Sequence, residues 1–306
     1  MASDSIHETA SLEEHTLSSL ITYTKSVGSV AADARAAKYQ LLLQLKVVTS
    51  IYGITNCCNK IRIYNPAHLS HERIITNACG NRHACPVCTS KYMAKKRELI
   101  AGLMSDHRSN GGEVCQSVLQ QSNKPHSPLI STLPTLNDAW NRMVKSTAWR
   151  KLTQKYGLHG YVRLQETAYG PNGWFPHFHC IWFFSGPRSE LEMQDFLVEV
   201  FDLWAHHSAA AGAPDTLAAS QKMDLIESGS EAGFAWYLTK HGYLDLMFDP
   251  AKVDLSTKTL TPFQLLTWAF YTSDADLFGA WADFEIATAH SKRVVVSRNL
   301  HHFLQD

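Results

Sequence analysis

His177 and His179, two histidines separated by one residue, form the first candidate metal-binding pair of this chain. In a β-strand successive side chains alternate between the two faces, so both imidazoles point to one side while Phe178 points to the other. The largely apolar run that continues to Phe184 favours a strand here. Two imidazoles that converge on one face can bind a divalent cation.

A tyrosine follows later in the chain, with a lysine three positions after it. On a helix this spacing places Tyr237 and Lys240 one turn apart. A metal site together with such a tyrosine favours phosphodiester cleavage through a covalent phosphotyrosine bond. The alternative is an aromatic side chain that packs on a helix beside Phe234 and Leu238.

Glu166 is the predicted third metal ligand. Residues 160–167 alternate apolar and polar side chains and predict a strand, whereas residues 169–176, with their glycines and prolines, predict a hairpin loop. Gln165 and Glu166 fall on opposite faces, so at most one can join the histidines. Glu166 shares its face with apolar neighbours, where an unpaired carboxylate is costly, although backbone donors could also satisfy it. Two histidines and a carboxylate with open positions suit Mg²⁺ or Mn²⁺ bound partly through substrate oxygens.

Five of the seven cysteines lie between positions 57 and 88, which favours a zinc site over disulfides in a cytosolic chain. A Cys-x-x-Cys pair can hold one tetrahedral zinc from a tight turn, and two further thiolates complete the set. Cys57 is an alternative to its neighbour, His83 is a substitute ligand, and reduced, buried thiols are the metal-free alternative. The predicted structural zinc ligands are Cys58, Cys79, Cys85 and Cys88.

Positive charge is concentrated in two stretches of a chain whose net charge is zero. Residues 57–108 carry nine Lys/Arg against three acids and residues 140–163 carry six against none, whereas residues 185–285 carry five against sixteen. This asymmetry favours local phosphate binding on one surface; random variation, or a solvated face on the helix predicted at 89–104, is the alternative. The predicted DNA-contacting residues are Lys91, Lys95, Lys96, Arg97 and Arg163.

Length and composition describe an ordinary globular protein. The chain has 306 residues, 45% hydrophobic and 18% charged, enough for one large domain or two modest ones. Its first residues carry early acids and no apolar segment, and its longest apolar run is shorter than the roughly 20 residues of a membrane span. We therefore expect a cytoplasmic protein with no membrane partner.

Taken in order, these motifs resemble the rolling-circle replication initiator (Rep) proteins of small plasmids, in the His-hydrophobic-His (HUH) endonuclease superfamily. The resemblance covers roughly residues 57–300, and it departs from the family pattern at residues 115–121 and at Phe175, where a strand motif and a loop histidine are replaced. The segments that carry it are Cys58-Asn59-Lys60, Cys79 to Cys88, Glu166-Thr167, Gly173 to His179, Tyr237 to Lys240, Thr261 to Leu266, and Lys292-Arg293 before Val294.

The resemblance implies a metal-dependent enzyme that nicks and joins single-stranded DNA at a plasmid or phage origin. His177, His179 and Glu166 would bind Mg²⁺ or Mn²⁺, and Tyr237 would form a 5′-phosphotyrosyl adduct that leaves a free 3′-hydroxyl. Lys240 would steady the phosphate or lower the pKa of the tyrosine. The implied partners are origin DNA, at a single-stranded or hairpin nick site, and a host helicase and polymerase.

Two other functions fit the same motifs. A transposase of the same superfamily shares the zinc module, the histidine pair and the tyrosine. A non-catalytic, zinc-dependent DNA-binding regulator fits the altered strand at 115–121. Some relatives also carry an acid four residues before the tyrosine that activates water to end replication; Gly233 stands there, and Glu231 is the nearest acid.

The predicted fold class is α+β, an antiparallel sheet with packed helices and a small zinc-binding module; the resemblance extends this to the ferredoxin/RRM-like palm of HUH endonucleases. Helices are predicted at 34–51, 89–104, 137–152, from Thr261 onward and at 274–289. The predicted domains are an accessory helical segment (1–56), a cysteine-rich zinc module with a basic helix (57–110), the nuclease core (111–245), and C-terminal helices and a strand packed on the core (246–306).

Overall fold

The computed structural model describes residues 36–64, 72–214, 222–227, 229–239 and 259–300. Lys240 and most of the accessory segment 1–56 lie outside the described residues. The helices are α1 (36–48), α2 (Tyr52–Thr55), α3 (Pro86–Ser109), α4 (Leu129–Lys145), α5 (Thr147–Lys155), α6 (Glu190–Ala210), α7 (Glu231–Thr239), α8 (Pro262–Thr272) and α9 (Ala275–Thr288). The strands are β1 (Lys60–Tyr64), β2 (Glu72–Thr76), β3 (Glu113–Gln120), β4 (Leu158–Gly170), β5 (Gly173–Phe184), β6 (Lys222–Leu225) and β7 (Val294–Val296).

An antiparallel sheet in the order β6-β3-β5-β4-β7 is the centre of the fold, and β1 and β2 pair separately. In the central strand β5 every residue except Phe175 is buried. A continuous apolar run is the pattern expected of a strand whose two faces are both covered. The predicted α+β class, an antiparallel sheet with packed helices, is therefore confirmed at this level.

The two faces of the sheet are covered unequally. The face that carries His179, named the near face, packs under α3 and α7 in a compact cluster with Ile100 and Leu238. The opposite face, named the far face, packs against α4, α5, α6, α8 and α9 in a larger core. Aromatic rings fill the far face, where Trp182 lies 5.6 Å from Phe196 and 6.2 Å from Trp140 between ring centroids.

The hairpin between β4 and β5 is tighter than the sequence suggests. Residues 169–176, predicted as a loop, are mostly strand, and only Pro171 and Asn172 form the turn. Gly173 follows the turn at φ +88°, a left-handed conformation that suits glycine. The glycines and prolines predicted the turn correctly, but the loop predicted from them includes residues that are hydrogen-bonded in the strand pair.

The predicted helix at 137–152 is two helices. Ser146 interrupts it with an extended backbone (φ −70°, ψ 155°) and caps α5 by accepting a hydrogen bond from the Trp149 amide at 3.0 Å. The apolar periodicity continues across the break because both helices bury a tryptophan, Trp140 and Trp149, in the same core. The predicted helices at 89–104, from Thr261 and at 274–289 correspond to α3, α8 and α9, of which α3 is longer than predicted.

The described part of the accessory segment packs into the large core. Leu41, Leu42 and Leu45 of α1 are buried there, whereas Val48 is 40% exposed. In the ranges that the structure covers, no helix has the length and apolar character needed to cross a bilayer.

Candidate metal centres and the tyrosine helix

The strand register brings Glu166, His177 and His179 together on the near face. Glu166 pairs directly with His177 across β4 and β5, and Leu164 pairs with His179. Because directly paired residues share a face, all three polar side chains converge. Glu166 Oε2 lies 2.8 Å from His179 Nε2 and 3.8 Å from His177 Nε2. Gln165 points to the far face, where its amide donates to Ser291 Oγ at 3.2 Å.

Both imidazoles are held with one nitrogen toward the carboxylate. His177 Nδ1 donates to the backbone carbonyl of Phe175 at 3.2 Å, and that hydrogen bond orients its Nε2 toward Glu166. His179 Nδ1 is buried and has no hydrogen-bond partner in the described part of the chain. Both rings are about nine-tenths buried, so the pair is fixed by packing rather than left on a mobile surface.

These three side chains could hold a divalent cation. One ligand atom from each lies within 4.8 Å of the others. Two imidazole nitrogens and a carboxylate oxygen leave further coordination positions for water or substrate, unlike a closed structural site. The ring of Phe175, partly exposed, lies 5.3 Å from that of His177 and forms part of the surroundings of the cluster.

Helix α7 places Tyr237 on the near-face side of the sheet. Ala235 and Leu238 are buried in the cluster that contains Leu164, the residue paired with His179. Tyr237 itself is 47% exposed, with its ring 6.5 Å from that of Phe234. Tyr237 therefore faces solvent, whereas its helix neighbours Ala235 and Leu238 pack into the core.

Charged side chains fix both ends of α7. Arg108, near the end of α3, contacts Glu231 at 2.5 Å and Glu113 at 3.0 Å. At the other end the Arg97 Nε donates to Thr239 Oγ1 at 2.9 Å. The acid nearest to the tyrosine in sequence, Glu231, is therefore part of the anchor of the helix.

Four cysteines form a second cluster, at the start of α3. Sγ–Sγ distances are 3.7 Å for Cys57–Cys88 and 3.6 Å for both Cys79–Cys88 and Cys57–Cys85. Four thiolates around a tetrahedral zinc with bonds of about 2.3 Å lie about 3.8 Å apart. The thiols are already at nearly that spacing, so this cluster could bind a structural zinc.

The fourth thiol of this cluster is Cys57, whereas the sequence predicted its neighbour Cys58. Cys57 is completely buried and faces the Cys-x-x-Cys turn, in which Cys85 caps α3. Cys58 has a left-handed backbone (φ 63°), and its amide donates to the Asn77 carbonyl at 2.7 Å. Its Sγ lies 3.8 Å from that of Cys57, at the edge of the cluster, and the spacing of cysteines alone did not distinguish the two.

Hydrogen bonding within the cluster shifts the pKa values of its thiols in different directions. Hydrogen bonds from Cys79 and Cys85 lower the pKa of Cys88, while hydrogen bonds with Cys79 and Cys88 raise the pKa of Cys85. A thiolate is the form that binds metal, and the lowered pKa of Cys88 favours that form.

His83, the predicted substitute ligand, has another role. Its Nε2 lies 3.0 Å from Ser291 Oγ and 3.2 Å from the Ser291 carbonyl, which connects the cysteine module to the segment before β7. Burial, and then the nearby Arg293 charge, lower the pKa of His83 to about 3. It is therefore a neutral structural contact.

Most of the predicted DNA-contacting residues lie on α3. Lys91 and Lys95 are exposed, Lys96 lies 5.7 Å from the Tyr92 ring, and Arg97 lies 6.0 Å from the Trp236 ring. Arg163 lies elsewhere: it is 96% buried on the far face, over the Phe178 ring at 4.1 Å, because its position in β4 alternates away from Glu166.

Comparison with known proteins gives no relative: no protein-family model, no curated protein and no solved structure matches this chain.

Proposed function

We propose that this protein nicks and joins single-stranded DNA at a specific site and thereby initiates rolling-circle replication of a plasmid or phage. The observation that carries the proposal is the convergence of Glu166, His177 and His179 on the sheet face that also supports the Tyr237 helix. A carboxylate–histidine cluster and a solvent-accessible tyrosine on one face are the groups that a phosphotyrosine mechanism requires.

The chain's own residues account for the covalent step. Tyr237 Oη would attack the phosphorus of the scissile phosphodiester, forming the phosphotyrosyl bond as the bond from phosphorus to the 3′-oxygen breaks. The phenolic proton is released and the departing 3′-oxygen takes up a proton, so the products are a 5′-phosphotyrosyl strand and a free 3′-hydroxyl. Reversal of the step by a 3′-hydroxyl joins strands.

Tyrosine needs help for this attack, since its unperturbed pKa is about 10. Mg²⁺ or Mn²⁺ bound by Glu166, His177 and His179 would polarise the phosphate and neutralise developing charge. Burial of the imidazoles on the near face keeps the three ligands in place before substrate binds. Lys240, proposed to steady the phosphate, lies outside the described residues.

The cysteine cluster has a supporting role in this proposal. It lies at the first turn of α3, whose exposed Lys91 and Lys95 provide sequence-independent phosphate contacts to origin DNA. Further along, α3 packs on α7. Zinc would therefore hold in place the helix that carries the basic surface and supports the tyrosine helix.

The test is a covalent capture assay. Labelled single-stranded DNA is tiled across the replicon that carries the gene and incubated with the full chain and Mn²⁺, and adducts are separated on a denaturing gel. We expect a protein–DNA band with the wild type and none with Tyr237→Phe. The matched control is Tyr271→Phe, which changes a tyrosine on α8 that is 61% exposed and should keep the band.

Two outcomes decide the proposal. A band that disappears only in Tyr237→Phe establishes the phosphotyrosine step. If folded, zinc-loaded protein forms no adduct with any tile, the nicking function is rejected and the zinc-dependent DNA-binding regulator takes its place.

A further inference from the structure

A cleft of about 470 Å³ opens on the far face, on the other side of the sheet from the carboxylate–histidine cluster. It lies between α4, β4 and the segment before β7. Its volume falls within the range of about 300–1,000 Å³ that is usual for small-molecule sites. The lining residues that matter here are Asn137, Asn141, Tyr161, Arg163, His290 and Lys292.

Arg163 is a buried cation that lines this cleft. It is 96% buried, and its described contacts are the faces of two aromatic rings, Phe178 at 4.1 Å and Trp140 at 5.3 Å, and a long hydrogen bond to Asn137 Oδ1 at 3.4 Å. Its Nε has no hydrogen-bond partner among the residues that the structure describes. A buried charge is normally paired or fully hydrogen-bonded, so this guanidinium is incompletely satisfied.

No carboxylate balances that charge within the described residues. The lining of the cleft includes neither Asp nor Glu, and the described ion pairs do not include Arg163. Burial lowers its pKa only to about 10, so the guanidinium stays charged at neutral pH. An anion is the ligand whose charge would match this guanidinium.

The rim of the cleft adds groups that suit the same ligand. Lys292 and His290 are exposed at the rim and Asn141 supplies an amide there. A buried guanidinium and an exposed ammonium, together with side-chain amides in the lining, form a setting for an oxyanion with several acceptor oxygens. Tyr161 is half-buried in the wall and offers an aromatic surface for the remainder of the ligand.

We propose that this cleft binds the phosphate group of a nucleotide-sized ligand, with Arg163 at its floor and Lys292 at its rim. The site is separate from the proposed nicking centre because Arg163 and Glu166 project from opposite faces of β4. It does not depend on the proposed function. A free nucleotide and a phosphate of a DNA strand are two sources of the same chemistry, and they differ in the length of ligand that binds best.

Calorimetric titration of the full chain tests the proposal with three probes: inorganic phosphate, thymidine 5′-monophosphate and a six-nucleotide single strand. We expect at least one probe to bind, and Lys292→Glu to weaken it by about 100-fold, since a charge-assisted contact is replaced by repulsion. The matched control is Lys151→Glu, the same change of charge on an exposed lysine of α5, which should alter affinity less than about threefold.

A second variant tests the floor of the cleft. Arg163→Met keeps the side-chain length without the charge and should abolish binding while the circular dichroism spectrum stays that of the wild type. If this variant does not fold, Lys292→Glu decides alone. Tighter binding of the mononucleotide indicates a free nucleotide, and tighter binding of the strand indicates a backbone phosphate; both support the site. Absence of binding by all probes, or binding equally weakened by Lys151→Glu, overturns it.

Discussion

The two metal-capable clusters of this protein are built differently. The cysteine cluster offers four thiols at nearly tetrahedral spacing inside the large core, so protein ligands alone complete a zinc site. The carboxylate–histidine cluster offers three ligand atoms on one face of a strand pair and leaves coordination positions open. The comparison indicates that loss of the first cluster should unfold structure, whereas loss of the second should remove chemistry and keep the fold.

The largest effect is expected from the pair of adjacent cysteines. Cys57→Ser should lose bound zinc and reduce the free energy of unfolding by about 5 kcal/mol, part of the binding energy that structural zinc contributes to folding. Cys58→Ser should keep one zinc and change stability by less than about 1 kcal/mol. Metal content by mass spectrometry, together with denaturant unfolding, measures both. Zinc loss in Cys58→Ser alone would restore the ligand expected from the sequence.

The open cluster should respond in the opposite way. His179→Ala should reduce adduct formation and Mn²⁺ binding by about 100-fold or more, because one of three ligands is lost. Its zinc content and melting temperature should stay close to those of the wild type. The control is His206→Ala, which changes an exposed histidine on α6. If the His179→Ala protein is unfolded or zinc-free, the carboxylate–histidine cluster also supports the fold, and the contrast between the two clusters is wrong.

A smaller effect is expected where α3 holds α7. Glu231→Gln weakens the contact with Arg108, in which both side chains are less than 15% exposed, and should cost about 2 kcal/mol. Hydrogen exchange should accelerate in α7 and stay unchanged in α6. Asp138→Asn breaks a surface pair with about half of each side chain exposed, and should cost less than about 0.5 kcal/mol. Equal costs would mean that the α7 anchor is no stronger than a surface contact.

The smallest effect concerns pH and the far end of α3. Burial lowers the pKa of His107, whose Nε2 donates to the Phe184 carbonyl at 2.7 Å. The unfolded chain, with a histidine pKa of about 6.5, takes up the proton more readily, so the free energy of unfolding falls as pH drops below that value. The slope attributable to this proton is at most about 1.4 kcal/mol per pH unit. His107→Gln should flatten the pH dependence between pH 7 and pH 5.5 in denaturant titrations, and His206→Gln should not.

The sequence predicts the parts of the site that depend on strand alternation. His177 and His179 share a face because they are two residues apart, and Glu166 joins them because a short turn fixes the register. Arg163 and Glu166 are three positions apart in β4, so the same alternation places them on opposite faces of the sheet. Basic character suggested a surface contact for Arg163, but its position in the strand places it in the aromatic core.

Other features depend on local backbone geometry, which residue type and periodicity do not specify. Cys57 rather than Cys58 belongs to the set of four thiols and Cys58 has a left-handed backbone, and adjacent identical residues carry no signal for either feature. The break at Ser146 is equally local, since the apolar periodicity continues on both sides. Turn chemistry identified the hairpin but not its length, because Pro176 is tolerated within the paired strand.

Helix α3 begins at the cysteine cluster and packs further along its length against the helix of Tyr237. A chelator would therefore remove metal from the two clusters at different rates. It should strip the open, three-ligand cluster within the mixing time, and added Mn²⁺ should reverse that inhibition. Zinc held by four thiols, three of them buried, should leave slowly, and because its loss loosens the support of the tyrosine helix, Mn²⁺ alone should not restore activity afterwards. The duration of chelation, more than its extent, should decide whether inhibition is reversible.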